Sequence, residues 1–86
     1  MEHCYAKNST IIERQTAEGP VLIDPYRRVM VPLDPVGREI WRLIDGARNA
    51  SSMVKALGGM FDVEEETLRR DVGSFLGELA KREMIT

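Results

Sequence analysis

A strand that ends on a proline and passes straight into a capped helix leaves a small chain few ways to fold. Residues 21–41, VLIDPYRRVMVPLDPVGREIW, have that arrangement. Asp24 and Pro25 open a turn, with Asp at its first position and the fixed φ of Pro at its second, as suits type I. Val29, Val31 and Leu33 alternate with Arg28, Met30 and Pro32, the period of a strand with one buried face. Asp34 then accepts bonds from orphan helix amides, and Pro35 occupies the first helical position, where no donor is needed. A hairpin whose last strand leads directly into a helix presents an open strand edge beside that helix.

The chain has 86 residues, enough for one domain with a modest core. Hydrophobic residues make up 43% and charged residues 30%, a balance that excludes wholesale disorder. The net charge of −2 lacks the basic excess of a nucleic-acid binder. Cys4 is the single cysteine, so no internal disulfide forms and a reducing compartment is expected. No apolar run approaches the roughly 18 residues of a membrane span, and the N-terminus lacks an apolar signal core. The expectation is a cytoplasmic protein with no membrane partner.

Residues 1–8 show no periodicity and read as a flexible tail ahead of a domain over residues 9–86. Strands are expected at residues 9–16, 21–23 and 27–33, with Gly19 and Pro20 as punctuation. The first helix spans residues 35–45, where Val36, Ile40, Leu43 and Ile44 fall at helical spacing and Gly46 ends the run. Trp41 sits at the margin of this stripe, either at the core rim or on a binding surface. Asn49 caps a second helix through Ala50, Met53, Val54 and Leu57, closed by Gly58 and Gly59. Asp62 with Glu65 resembles a capping box for a third helix reaching about residue 83, and Glu64, Glu65 and Glu66 suit its positive end. Its stripe is Leu68, Val72, Phe75, Leu76 and Leu79; Met84 and Ile85 fold back onto the core. The order is β-β-β-α-α-α, an α+β, winged-helix-like domain with a three-stranded antiparallel sheet.

Catalytic chemistry has little to work with. His3 is the only histidine and lies in the expected tail, so a His-assisted nucleophile would need that tail ordered. His3 and Cys4 are two adjacent ligands where a zinc site needs about four. Gly58 and Gly59 have no phosphate-loop context. No catalytic residue, metal or cofactor is expected.

The strand edge is the better candidate. Open edges recruit other chains, and proline belongs on an edge because it cannot donate to a ladder. Main-chain groups alternate sides along a strand. If Pro32 faces outward, so do Arg28 and Met30, while Val29, Val31 and Leu33 bond back to the middle strand. A peptide then adds outside, stopping near Pro32, which is recognition by β-augmentation. Helix three is the neighbouring wall: Asp71, Glu78 and Arg82 share one shoulder of its stripe, and Asp71 with Phe75 sets a charge beside an apolar slot. The candidate peptide-binding residues are Arg27, Arg28, Val29, Met30, Val31 and Pro32 on the strand. On the helix they are Leu68, Asp71, Val72 and Phe75.

At these positions the chain resembles the PqqD family, recognition elements for ribosomally made peptides awaiting modification. The resemblance rests on Leu33 with Asp34, on Ile40 and Trp41 through Asp45 and Gly46, and on Asp71, Val72, Phe75, Leu76 and Leu79, in that order and spacing over residues 21–85. Two departures stand out. Val31 and Pro32 precede the Leu-Asp pair where the family often has an aromatic or Gly, and Glu83, Met84 and Ile85 replace a usual Gly-Leu ending. The resemblance implies a winged-helix-like fold in which the leader of a precursor peptide adds beside the third strand and lies against the third helix. It also implies a modifying enzyme as partner, often of the radical S-adenosylmethionine class.

Two other readings compete. A winged-helix DNA-binding regulator would place helix three in a groove, but residues 64–83 hold six acids against four bases. A purely structural subunit would bury the third strand in its complex. The open edge also permits a monomer or a weak, strand-swapped dimer.

Overall fold

The computed structural model describes residues 2–86. It has the expected order: β1 (Ile12–Thr16), β2 (Gly19–Asp24), β3 (Val29–Pro32), α1 (Pro35–Leu43), α2 (Ala50–Gly58) and α3 (Glu65–Lys81). The sheet is an antiparallel meander in the order β1-β2-β3, so β1 and β3 are its two edges. The hairpin between β1 and β2 turns through Ala17 and Glu18. Gly19 closes it with φ +121°, a conformation that L side chains rarely adopt.

The sheet presents one face to the helices. Leu22 and Leu33 join Ile40, Met53, Leu57, Leu68, Val72, Leu76, Leu79 and Met84 in a single core. Period-two alternation puts Val31 opposite Leu22, and Val29 opposite Asp24, on this inner face. The outer face carries Ile12, Ile23 and Met30 in one cross-strand row, and Arg14, Val21 and Pro32 in the next. Trp41 is buried and belongs to the core, and the Lys7 ammonium lies 4.9 Å from its ring centroid.

Two of the three expected helix starts have their side-chain caps. Asp34 Oδ1 accepts from Gly37 N–H at 2.6 Å, and Asn49 Oδ1 from Ser52 N–H at 2.9 Å. The third differs from the capping box read at Asp62 and Glu65. Glu64 is the N-cap and makes no side-chain cap bond. Glu65 and Glu66 do stand in the first turn, where the helix dipole favours them. Helix α1 ends at Leu43, two residues short of expectation, and Gly46 adopts φ +86° in the loop beyond.

The end of α3 explains the missing Gly-Leu. Glu83 N–H donates to Ala80 O and Met84 N–H to Leu79 O, the bond pair of a Schellman motif. Its left-handed position is filled by Glu83 at φ +58°, where glycine is the usual occupant. Met84 and Leu79 are both fully buried, the apolar contact that accompanies the motif. Glu83→Gly removes the left-handed penalty and forfeits only an exposed ion pair with Arg27. Chemical denaturation is expected to show a gain of about 0.5–1 kcal/mol, the left-handed cost less the extra entropy of glycine.

The N-terminal segment departs most from the reading as a loose tail. Ala6 and Thr86 exchange backbone hydrogen bonds at 3.2 and 2.9 Å, Asn8 N–H donates to Met84 O, and Tyr5 bonds to Arg48 and Gly46. Residues 6–8 thus form a short antiparallel ladder with the C-terminus, and Tyr5 is held by the loop after α1; Met1 lies outside the described residues. Among the described residues, no helix is long and apolar enough to cross a membrane.

Candidate functional site: an open strand edge and its groove

The turn that launches β3 is built on Asp24. Its buried carboxylate accepts from Tyr26 N–H at 3.0 Å and Arg27 N–H at 3.1 Å, so the main chain reverses within four residues. Arg28 then takes φ +57°. The strand therefore starts at Val29, not at Arg27, and Arg28 has left the extended conformation that a ladder partner needs.

Beyond that point the expected parity holds. Leu33 N–H donates to Pro20 O at 2.9 Å, and the register pairs Val31 with Leu22 and Val29 with Asp24. In an antiparallel ladder these alternate pairs share hydrogen bonds and the pairs between them do not. Met30 and Pro32 therefore turn their main-chain groups away from β2, toward the vacant side. Met30 presents an N–H and a C=O there; Pro32 presents a C=O alone.

Helix α3 flanks the same edge. Just before β3, Arg27 forms an ion pair with Glu83 at the end of α3. Just after β3, a Cβ on Gly37 would lie 3.5 Å from the Phe75 ring and 3.1 Å from Asp34 Oδ1. Arg27 before β3 and Gly37 after it thus each reach a point on the second half of α3 or its end. Near the Phe75 end, a groove of about 270 Å³ is lined by Val36, Gly37 and Ile40 of α1 and by Asp71, Phe75 and Glu78 of α3. Phe75 is half-buried, and Asp71 is exposed on the shoulder that helical spacing assigns it. Leu68 and Val72 are elsewhere: at 1% and 0% exposure they are sealed in the core, where no guest reaches. Val36 and Gly37, which the sequence reading passed over, line the groove instead. The signal that could have found them is their position in the first helical turn after the Asp34 cap.

Asp34, Asp71 and Glu78 give the groove three carboxylates; Asp34 caps α1 and Glu78 pairs with Arg82 at 3.5 Å, while Asp71 stands exposed. The Ala47 amide, then the side chain and amide of Arg48, hold Asp45 below the usual value in the loop between α1 and α2. Its support of that loop is present above the ordinary carboxylate pKa and is lost as pH falls through the lowered one. Among the described residues, no group of three or more His, Cys, Asp or Glu is placed to hold a metal.

A winged-helix-like α+β domain with an unpaired sheet edge over an interhelical groove is the class that fold and site together define. The chain belongs to the PqqD family: residues 19–85 match the family described as coenzyme PQQ synthesis protein D. A PqqA binding protein of Rhodopseudomonas palustris (strain TIE-1) is 32% identical over 72 residues, covering 84% of this chain and 69% of that one. Among solved structures, TbiB1 in complex with the TbiA(beta) leader peptide superposes with a TM-score of 0.77 at 25% identity, covering 93% of each chain. Lasso peptide synthetase B1 complexed with its leader peptide shares the fold, with a TM-score of 0.80 at 19% identity over 96% of this chain and 98% of that one.

Proposed function

We propose that this protein captures the leader segment of a ribosomally made precursor peptide as a fourth strand beside β3 and presents it to a modifying enzyme. The observation that carries the reading is the vacant main chain of Met30 and Pro32 beside the groove between α1 and α3. Family membership and relatives that bind PqqA or a leader peptide support it. The protein acts as a non-enzymatic carrier in the cytoplasm, and a radical S-adenosylmethionine enzyme is the partner class the family suggests.

Strand addition alone is too weak to hold a guest. Each new hydrogen bond contributes about 0.5–1.5 kcal/mol net. The groups on Met30 and Pro32 therefore supply roughly 2–4 kcal/mol, whereas micromolar affinity needs about 8. Side chains must provide the difference. Those facing inward from the guest meet Val29, Val31 and the Phe75 groove; those facing outward join Met30 and Ile23. The carboxylates of the groove favour a guest with a basic residue near its apolar anchor.

A titration followed by amide NMR tests this, with synthetic TbiA(beta) leader and PqqA as probe peptides and a DNA duplex as control. Peptide is expected to shift Val29, Met30, Val31, Gly37 and Phe75, with affinity falling as salt rises. Shifts confined to exposed α3 residues on adding duplex would favour the DNA-binding alternative.

A further inference from the structure

The groove beside Phe75 is not the largest concavity. A cavity of about 710 Å³ opens at the end of the sheet where β3 finishes and β2 begins, walled by Pro20, Leu33, Pro35, Met60 and Phe61. Its volume is within the range of sites that enclose whole ligands, about 300–1,000 Å³. Met60 keeps 52% of its surface exposed, an unusual position for a large apolar side chain in a turn that could have been polar.

The cavity is continuous with the peptide site. Asp34 lines both concavities, with Pro35 on one side of the α1 start and Val36 and Gly37 on the other. A guest strand paired with Met30 comes off the ladder at Pro32, at this same end of the sheet. An extended chain advances about 3.3 Å per residue, so three to five further residues cover roughly 10–17 Å, enough to round the Asp34 corner.

The charges at the rim decide what kind of side chain enters. Glu39 pairs with Arg42 at 3.4 Å, and Arg38 lies 3.8 Å from Glu13, its Nε buried without a hydrogen-bond partner among the described residues. The Thr16 hydroxyl donates to Gly19 O at 2.7 Å, leaving Glu18 exposed at the rim. Between these rim groups the wall of the cavity is apolar, formed by Pro20, Leu33, Pro35, Met60 and Phe61. We propose that it seats a large apolar or aromatic side chain of the leader peptide, three to five residues beyond the segment paired with β3. This rests on the strand-addition reading. It makes recognition bipartite, with an anchor at a fixed offset from the ladder.

The test selects random displayed peptides on the wild-type protein. It then measures the selected sequences by calorimetry against wild type, Met30→Pro and Met60→Glu. Met60 is exposed, so Met60→Glu is expected to keep the wild-type circular dichroism. Selected peptides should share an apolar residue at a constant offset from their paired segment. Met60→Glu should weaken them roughly ten- to hundredfold, the equivalent of one large apolar side chain left in water. Replacing that peptide residue by Ala should cost as much on wild type and little more on Met60→Glu, the mark of a direct contact.

Peptides lost on Met30→Pro yet unaffected by Met60→Glu would overturn the anchor and leave strand addition standing. Peptides indifferent to Met30→Pro would overturn strand addition itself. A change of oligomeric state in Met60→Glu with peptide affinity unaltered would assign the cavity to a second copy and overturn the proposal.

Discussion

Met30→Pro should leave the domain folded and unable to hold a leader peptide. The Met30 amide points away from β2, so its loss breaks no bond of the sheet. The side chain is 59% exposed on the outer face and fills no core space. Proline is compatible with an extended residue on an edge strand, and Val29 before it is already extended, as a residue preceding proline prefers. The pyrrolidine ring removes the sole outward donor of β3 and occupies the line along which a guest carbonyl must approach. With the adjacent Pro32 already without a donor, no main-chain N–H remains on the open side of β3. Leader affinity is expected to fall by about tenfold or more, since one lost hydrogen bond and an obstructed approach together exceed 1.4 kcal/mol. Thermal unfolding should be nearly unchanged. Loss of binding accompanied by a collapsed melting curve would point to damage in the sheet, and full binding would remove β3 as the docking edge.

Met84→Ala is the matching prediction for stability. Met84 has no exposed surface and packs in the same core as Leu79. Its amide and carbonyl tie α3 to the N-terminal segment through Leu79 and Asn8. Truncating a buried methionine costs about 2–5 kcal/mol, depending on how far the cavity collapses. For a domain whose whole stability is of order 5–15 kcal/mol, that is a large share. Urea unfolding should show the midpoint falling by at least about 1 M at an unchanged slope. A change below about 0.5 kcal/mol would mean that the C-terminal residues are not part of the core.

The elements read best from the sequence are those whose causes are local. Asp34 with Pro35, and Asn49 ahead of Ala50, are caps whose chemistry is complete within four residues. The alternation of Val29, Val31 and Leu33 fixed which main-chain groups of β3 face outward, because strand parity admits two choices and Pro32 selects one. Local preference misled at Arg28 and Glu83. Neither residue favours the left-handed region, yet the Asp24 turn and the Schellman motif each require it at those positions.

What could not be read depends on distant partners. Residues 6–8 have no periodicity of their own and are ordered by partners nearly a chain length away. Leu68 and Val72 were placed at the peptide site because they lie at the centre of the α3 stripe. A stripe centre is the part most certain to face the core, and it is Asp71 on the shoulder, with the half-buried Phe75, that reaches the groove. The large cavity draws its wall from β2, α1 and the turn after α2. No sequence window holds those pieces together.

The pairing of Ala6 with Thr86 has a use in protein engineering. Residues that exchange both main-chain bonds sit with Cα atoms about 5.5 Å apart, so a linker of a few residues would close the backbone into a ring. Reopening that ring between Ala17 and Glu18, at an exposed hairpin tip, gives a circular permutant in which β3, α1 and α3 keep their order and connections. The same adjacency would let the domain be spliced into a surface loop of a larger host, entering and leaving at almost one point.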